Sequence, residues 1–119
     1  MRKGSDVEQM ALLYTTWPDA GTAERAAATA VGARLTACAN ILPAGRSIYR
    51  WQGQIETADE VIVVFKTTRA LAEALSDLLI GLHPYETPAV VALDIRVSGS
   101  NPDYLRWIDG ETSSTTKKI

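Results

Sequence analysis

The first third of the chain combines an apolar run of strand length with a segment of helical periodicity. Residues 9–16 (QMALLYTT) are mostly apolar, and Pro18 and Asp19 follow as a breaker and a favourable helix N-cap. From Asp19 to Leu35, small apolar residues recur at helical spacing: Ala23, Ala26, Ala27, Ala30 and Val31. The pattern predicts a strand over 9–16 and a helix over 19–35 whose alanine face can pack closely on a sheet.

The next segment has strand composition and is punctuated by turn residues. The stretches 36–43 (TACANILP) and 47–56 (SIYRWQGQIE) both favour extended chain. Residues 57–59 (TAD) predict the turn that leads back into 60–67 (EVIVVFKT), which is rich in β-branched residues. We therefore predict a long hairpin or meander across this region.

Residues 68–82 carry the clearest helical pattern in the chain. Their leucines lie at i, i+4, i+7 and i+11, the spacing of one helix face, and Thr68 is a suitable N-cap. Pro88 then opens a strand predicted over 88–97 (PAVVALDIRV), and a short apolar segment follows at 104–108 (YLRWI). The predicted order is β-α-β-β-α-β with an added C-terminal segment.

This order predicts an α+β, ferredoxin-like fold, an antiparallel sheet with both helices on one face. Several strands are apolar at consecutive positions, which indicates burial on both faces. Because two helices cover only one face, the cover of the other must come from a second copy of the chain or from a partner, and we predict a homo-oligomer. The alternative is that the segment Tyr104–Ile108 folds across the open face and hides part of it.

Length and composition predict one domain with short ends. The chain has 119 residues, of which 46% are hydrophobic and 22% charged, and single domains commonly contain about 100–150 residues. We predict a flexible N-terminus at 1–8, a domain at 9–109 and a flexible polar C-terminal tail at 110–119.

The charge balance and the cysteine content narrow the partners and the compartment. The formal net charge of −2 lacks the basic excess typical of nucleic-acid binding. No apolar run approaches the roughly 20 residues of a membrane span. The single cysteine allows no intrachain disulfide. The sequence therefore predicts a cytoplasmic protein that binds neither nucleic acid nor membrane.

A zinc or copper site of nitrogen and sulfur donors needs several histidine or cysteine side chains, and the chain has only His83 and Cys38. Cys38 lies mid-strand, where a small buried hydrophobic role is favoured over metal or redox chemistry. His83 precedes Pro84, so the helix should end near Leu82. At that position the histidine can interact with the carbonyls at the helix end, or it can belong to a binding site beside the proline-braced turn.

Tyr49 and Trp51 alternate with polar neighbours and share one predicted strand face. Tyrosine and tryptophan are typical anchors of protein interfaces. We predict that both contact another subunit, ahead of a role in stacking nucleobases, because no basic groove accompanies them.

Five ordered segments identify a family. Five segments, in this order and at these separations, closely resemble the CutA family of divalent-ion tolerance proteins: RLTACANILP, SIYRWQGQIE, EVIVVFKTT, LHPYETP and YLRWI. The resemblance spans about residues 10–109. It implies a ferredoxin-like subunit in a tight homotrimer, similar in architecture to the PII signalling proteins, with the long hairpin reaching into neighbouring subunits.

The resemblance also implies binding of copper or other divalent cations and no catalysed reaction. Copper-binding members are expected to carry a cysteine at the end of the first strand and a His-His pair before Pro-Tyr. This chain has Thr15 and Leu82-His83 there. It also has Ala89 where glutamate is usual. The remaining oxygen donors are Glu86 and Glu60, which suit harder cations.

Three hypotheses follow from these observations. The leading one is a trimeric divalent-cation-binding protein for metal tolerance, with His83 and Glu86 as candidate ligands of a non-obligatory divalent cation. The alternative is a PII-like regulatory or scaffold module that binds a small ligand or protein at clefts between subunits, with Trp51, Lys66 and Tyr85 as cleft residues. A hydrolase or redox enzyme using Cys38 and His83 is the least favoured.

Overall fold

Seven elements follow one another along residues 9–113, the part of the chain that the computed structural model describes. They are β1 (Met10–Trp17), α1 (Ala20–Gly32), β2 (Cys38–Trp51), β3 (Gln54–Thr68), α2 (Arg69–Leu82), β4 (Val90–Asp94) and α3 (Pro102–Glu111). Asp19 and Thr68 cap α1 and α2 by accepting hydrogen bonds from backbone N–H groups of the first turn. The predicted strand at 9–16 and the two predicted helices are confirmed to within a few residues.

The four strands form one antiparallel sheet in the order β2-β3-β1-β4. The ferredoxin-like prediction is thereby confirmed. The main core lies between this sheet and helices α1 and α2, and its central residues are Leu13, Trp17, Val63, Phe65, Leu75 and Leu79. Four alanines of α1 are buried in it, which lets the helix approach the sheet closely.

The hairpin between β2 and β3 turns five residues earlier than its sequence predicts. Trp51 pairs with Gln54, and the turn residues Gln52 and Gly53 have φ angles of 50° and 81°. Positive φ at both central positions is the two-residue turn that suits the twist of a hairpin. The turn predicted at 57–59 is wrong, since those residues continue β3.

An irregularity in β2 changes the face on which its residues lie. Leu42 pairs with Ile62 and Gly45 with Glu60, so β2 advances three residues while β3 advances two. Such a bulge reverses the alternation of side chains along the longer strand. Ser47 and the residues two and four positions further on therefore share the face of Glu60.

Helix α3 covers one end of the face that α1 and α2 leave open. Leu105 and Ile108 are buried there against Met10 and Ala37 in a second, smaller core. The sequence predicts only a short segment at 104–108 followed by a flexible tail from 110. The helix instead includes Gly110 and Glu111, so the predicted boundary at 109 falls inside it, and residues 114–119 lie outside the described part of the chain.

The rest of that second face is uncovered in the single chain. Tyr14, Leu42, Val91 and Leu93 remain 40–53% exposed. Beyond the body of the sheet, β2 and β3 continue as a two-stranded ribbon on which Ile48 and Ile55 are 72% and 68% exposed. Strand alternation places Ile48 and Ile55 on the opposite side of the ribbon from Glu60. We call the uncovered second face of the sheet, with Tyr14, Leu42, Val91 and Leu93, the open face. Its apolar side chains lack a partner among residues 9–113.

Candidate functional site

A cavity of about 660 Å³ lies where the ribbon leaves the open face. Its walls come from β1, from the start of the ribbon and from the loop that joins α2 to β4. Two sequence-predicted cleft residues, Trp51 and Tyr85, line it together with the predicted ligand Glu86. Residues separated by more than thirty positions therefore meet at one site.

His83 stands behind this cavity as a buried structural residue and is 8% exposed. Its ring stacks on Trp17 with a centroid distance of 4.2 Å. Nδ1 accepts a hydrogen bond from the Tyr85 backbone N–H at 3.1 Å, and Nε2 lies 2.6 Å from the Thr16 carbonyl oxygen. With its hydrogen on Nε2, the imidazole satisfies both contacts.

These contacts bear on the predicted metal role of His83. A metal bond would need a ring nitrogen with a free lone pair, and both nitrogens are engaged with the backbone. Coordination at His83 therefore requires the loss of one of two hydrogen bonds. His83 ends α2, as predicted, and its backbone N–H donates to the Ile80 carbonyl. Its imidazole, however, bonds to the Thr16 carbonyl of β1 and not to a carbonyl at the helix end.

A hydroxyl–carboxylate cluster forms the inner wall of the cavity. The Ser47 hydroxyl donates to Glu60 Oε1 at 2.6 Å, and the Tyr85 hydroxyl donates to Glu60 Oε2 at 3.3 Å. Glu60 is only 8% exposed. Burial raises the pKa of the Tyr85 hydroxyl, and the nearby charge of Glu60 raises that pKa further. Tyr85 is thus held as a hydrogen-bond donor to Glu60.

Carboxylates and aromatic rings dominate the remaining lining. Glu56 and Glu86 are exposed at the rim, while four aromatic side chains face the space: Tyr14, Tyr49, Trp51 and Tyr85. None of the described residues that line the cavity carries a positive charge. The site therefore combines an acidic rim with aromatic walls.

Other predicted site residues lie elsewhere. Lys66 is at the far end of β3, where its Nζ donates to the Tyr104 hydroxyl at 3.2 Å, so one chain does not bring it to Trp51 and Tyr85. Cys38 is partly buried, not fully buried as its sequence predicts, and its Sγ lies 3.5 Å from the same hydroxyl. Cys38 pairs with Lys66 in the sheet, whereas the ring nitrogens of His83 contact Thr16 and Tyr85, so the structure does not bring the two side chains together as a Cys–His pair.

Thr15, which stands where copper-binding members are expected to have cysteine, faces the helices. Its hydroxyl accepts from Trp17 Nε1 at 2.7 Å and donates to the Val63 carbonyl at 2.8 Å. The side chain is fully buried. It therefore contributes to the core and not to the cavity.

Sequence reasoning missed Ser47 as a site residue and named Glu60 only as a surviving oxygen donor. Glu60 lies in a β-rich run, and nothing local marks its carboxylate as buried. The available signal was Gln52-Gly53, because a turn there sets Gly45 opposite Glu60 and brings Ser47 close to it.

The described carboxylates of the cavity do not form a preformed metal site. Within residues 9–113, no three His, Cys, Asp or Glu side chains converge as a preformed ligand cluster. Carboxylates at a cavity rim fit a hydrated hard cation, which keeps several water ligands, better than a copper site of nitrogen and sulfur donors.

The fold and the projecting ribbon place the protein in the class of ferredoxin-like α+β proteins. A scan against family models narrows the class: the model described as "CutA1 divalent ion tolerance protein" matches residues 11–111. The chain therefore belongs to the CutA1 divalent ion tolerance family, as its five sequence segments predict.

Individual relatives agree with this assignment. The divalent-cation tolerance protein CutA of Pyrococcus horikoshii is 43% identical over 103 residues, which cover 87% of this chain and 98% of that protein. The crystal structure of CutA from Xylella fastidiosa matches with a TM-score of 0.84 at 38% identity, covering 88% of this chain and 99% of that one.

A third relative bears on the compartment. The periplasmic divalent cation tolerance protein CutA from Archaeoglobus fulgidus matches with a TM-score of 0.82 at 31% identity, covering 87% of this chain and 99% of that one. A cytoplasmic location therefore stays a prediction. In the described part of the chain, no helix is both long enough and apolar enough to cross a membrane.

Proposed function

We propose that the protein is a self-associated, non-catalytic binder of divalent cations that contributes to tolerance of such ions. The observation that carries the proposal is the family match over residues 11–111, whose description names divalent ion tolerance and no reaction. The acidic rim of the cavity supports it, because oxygen donors suit hard divalent cations.

Glu86 is the preferred ligand. Its carboxylate is exposed at the rim, whereas Glu60 already accepts two hydroxyl hydrogen bonds. His83 is the second candidate ligand. To coordinate the cation, its ring would have to lose one of its two hydrogen bonds to the backbone. Water completes the coordination shell, as is usual for hard cations at sites with few carboxylates.

Calorimetric titration with Cu(II) and with Zn(II) tests the ligands. Glu86→Gln removes the charge but keeps the size of the side chain, so affinity should fall relative to wild type. Glu73→Gln is the matched control, because Glu73 is exposed on α2 and does not line the cavity. Identical isotherms for wild type and Glu86→Gln would refute the role of Glu86, and an unchanged isotherm for His83→Ala would remove His83 from the ligand set.

Self-association as a homotrimer is supported by the open face and the ribbon. A two-stranded ribbon is marginally stable alone, and contiguous exposed apolar surface marks association sites. Tyr49 and Trp51 are 39% and 49% exposed on this ribbon, in keeping with a role at the subunit interface. Light scattering should give three times the 12.9 kDa chain mass, and a monomer mass would refute the trimer.

A second candidate function is a PII-like module that binds a small ligand between subunits. The volume of the cavity favours it, since small-molecule sites commonly span about 300–1,000 Å³. In a trimer, Lys66 of one subunit would need to approach Trp51 and Tyr85 of another. A thermal-shift screen in which anions or metabolites raise the melting temperature, while divalent metals do not, would favour this function over cation binding.

A further inference from the structure

The cavity at the base of the ribbon has a charge pattern that selects among small ligands. Glu56, Glu60 and Glu86 contribute carboxylates, and the described lining contains no lysine or arginine. An anionic ligand would meet repulsion without a compensating cation. The charge complementarity therefore favours a positively charged occupant.

Glu60 strengthens this preference because it lies inside the cavity wall. It is 8% exposed, and both of its oxygens accept hydrogen bonds from neutral hydroxyls, Ser47 and Tyr85. None of the ion pairs found among residues 9–113 includes Glu60. Hydroxyls satisfy hydrogen bonding but supply no opposite charge, and a buried carboxylate gains most from a nearby cation.

The aromatic side chains define which kind of cation fits. Tyr14, Tyr49, Trp51 and Tyr85 line the same space. The faces of such rings attract organic cations, whose alkyl groups also bury apolar surface against the rings. An inorganic divalent ion gains less from this wall, because it retains its water ligands.

We propose that this cavity binds an organic ammonium ion, with its cationic head group against the aromatic walls and near the Glu60 carboxylate. The volume of about 660 Å³ accommodates a small organic molecule. The site differs from the proposed divalent-cation ligands in using aromatic faces and the inner carboxylate. Either activity can therefore exist without the other.

The competing occupant is a lysine or arginine side chain of a neighbouring copy. The cavity adjoins the open face, so self-association could deliver such a side chain to Glu60. In that case the cavity would be filled in the assembled protein and closed to small ligands. The test therefore uses the full chain in its native association state.

Choline and its uncharged isostere 3,3-dimethyl-1-butanol provide matched probes. Both are titrated calorimetrically into the protein at fixed ionic strength. We expect saturable binding of choline and about tenfold or more weaker binding of the isostere, since only the charge differs. Equal affinity for the two probes would overturn the proposal. The absence of saturable choline binding would also overturn it, and would indicate that a neighbouring copy fills the cavity.

Variants locate the binding. Glu60→Gln and Trp51→Leu should each weaken choline binding by about tenfold, whereas Glu73→Gln should leave it unchanged. Because Glu60→Gln could disturb the wall, Glu56→Gln at the exposed rim provides a second charge variant, and circular dichroism confirms that each variant is folded. Unchanged choline affinity in the folded Glu56, Glu60 and Trp51 variants would refute the assignment. The divalent-metal titrations use different ligands, so failure here leaves the proposed function separately testable.

Discussion

Replacing His83 by alanine should destabilise the protein whether or not it binds metal. The imidazole makes hydrogen bonds to the Thr16 carbonyl and from the Tyr85 N–H, and it stacks on the fully buried Trp17. Its truncation removes all three interactions and leaves a buried carbonyl without a side-chain partner. The stability of this variant therefore distinguishes a structural role of His83 from that of a surface ligand that the fold does not need.

The expected size follows from these contacts. Each hydrogen bond contributes about 0.5–1.5 kcal/mol and an aromatic pair about 0.5–1.5 kcal/mol. Allowing for partial relaxation, His83→Ala should lower the free energy of unfolding by about 2–4 kcal/mol per chain. His83→Phe also loses both hydrogen bonds, but it keeps a ring beside Trp17. Its free energy of unfolding should therefore fall less than that of His83→Ala.

Guanidinium denaturation measures these differences. Trp17 is the reporter, in a background where Trp51 and Trp107 are replaced by phenylalanine, and protein concentration is held fixed because association adds to stability. The reasoning predicts the order wild type, His83→Phe, His83→Ala from most to least stable. A loss below about 0.5 kcal/mol for His83→Ala, the size of an ordinary surface change, would refute it.

Two further changes test the wall of the cavity. Gly45→Ala should destabilise the hairpin by about 1–3 kcal/mol in thermal or chemical denaturation, because the added Cβ would lie 2.7 Å from the Glu60 carbonyl oxygen. Gly32→Ala is the control, because nothing lies within 4 Å of a Cβ added there. Equal effects of the two changes would contradict the close packing at Gly45. The raised pKa of Tyr85 means that the folded state holds its proton more tightly, so stability should fall as pH rises above about 10, and Tyr85→Phe should lessen that fall. Denaturation at several pH values between 9 and 12 measures it, and an unchanged slope in Tyr85→Phe would contradict the raised pKa.

The sequence predicts the elements that depend on local periodicity. The leucine spacing of α2 and the alanine spacing of α1 each specify one buried face, and the structure buries those faces. The apolar character of consecutive strand positions also predicts that the sheet has two sides to cover. Helix α3 extends further than its five apolar-rich residues indicate, since Asn101 caps it and Thr112 closes it by donating to the Ile108 carbonyl.

The cavity depends on register, which periodicity does not determine. A turn at 57–59 would place Ser47 opposite about residue 69, whereas the observed turn places it opposite Ala58, two residues from Glu60 on the same face. The bulge between Leu42 and Gly45 then places Ser47 on the same face of the sheet as Glu60. His83 likewise owes its burial to Trp17 and Thr16, which are distant in sequence, so its neighbours could not be predicted from the LHPYETP segment alone.

The position of a bound cation is the most direct test of the proposed function. Crystals grown with Zn(II) and measured at the zinc absorption edge locate the ion by anomalous scattering. Our account predicts a peak at the cavity rim within about 2.0–2.2 Å of a Glu86 carboxylate oxygen. A peak confined to other surfaces, or no peak at saturating Zn(II), would contradict divalent-cation binding at this site.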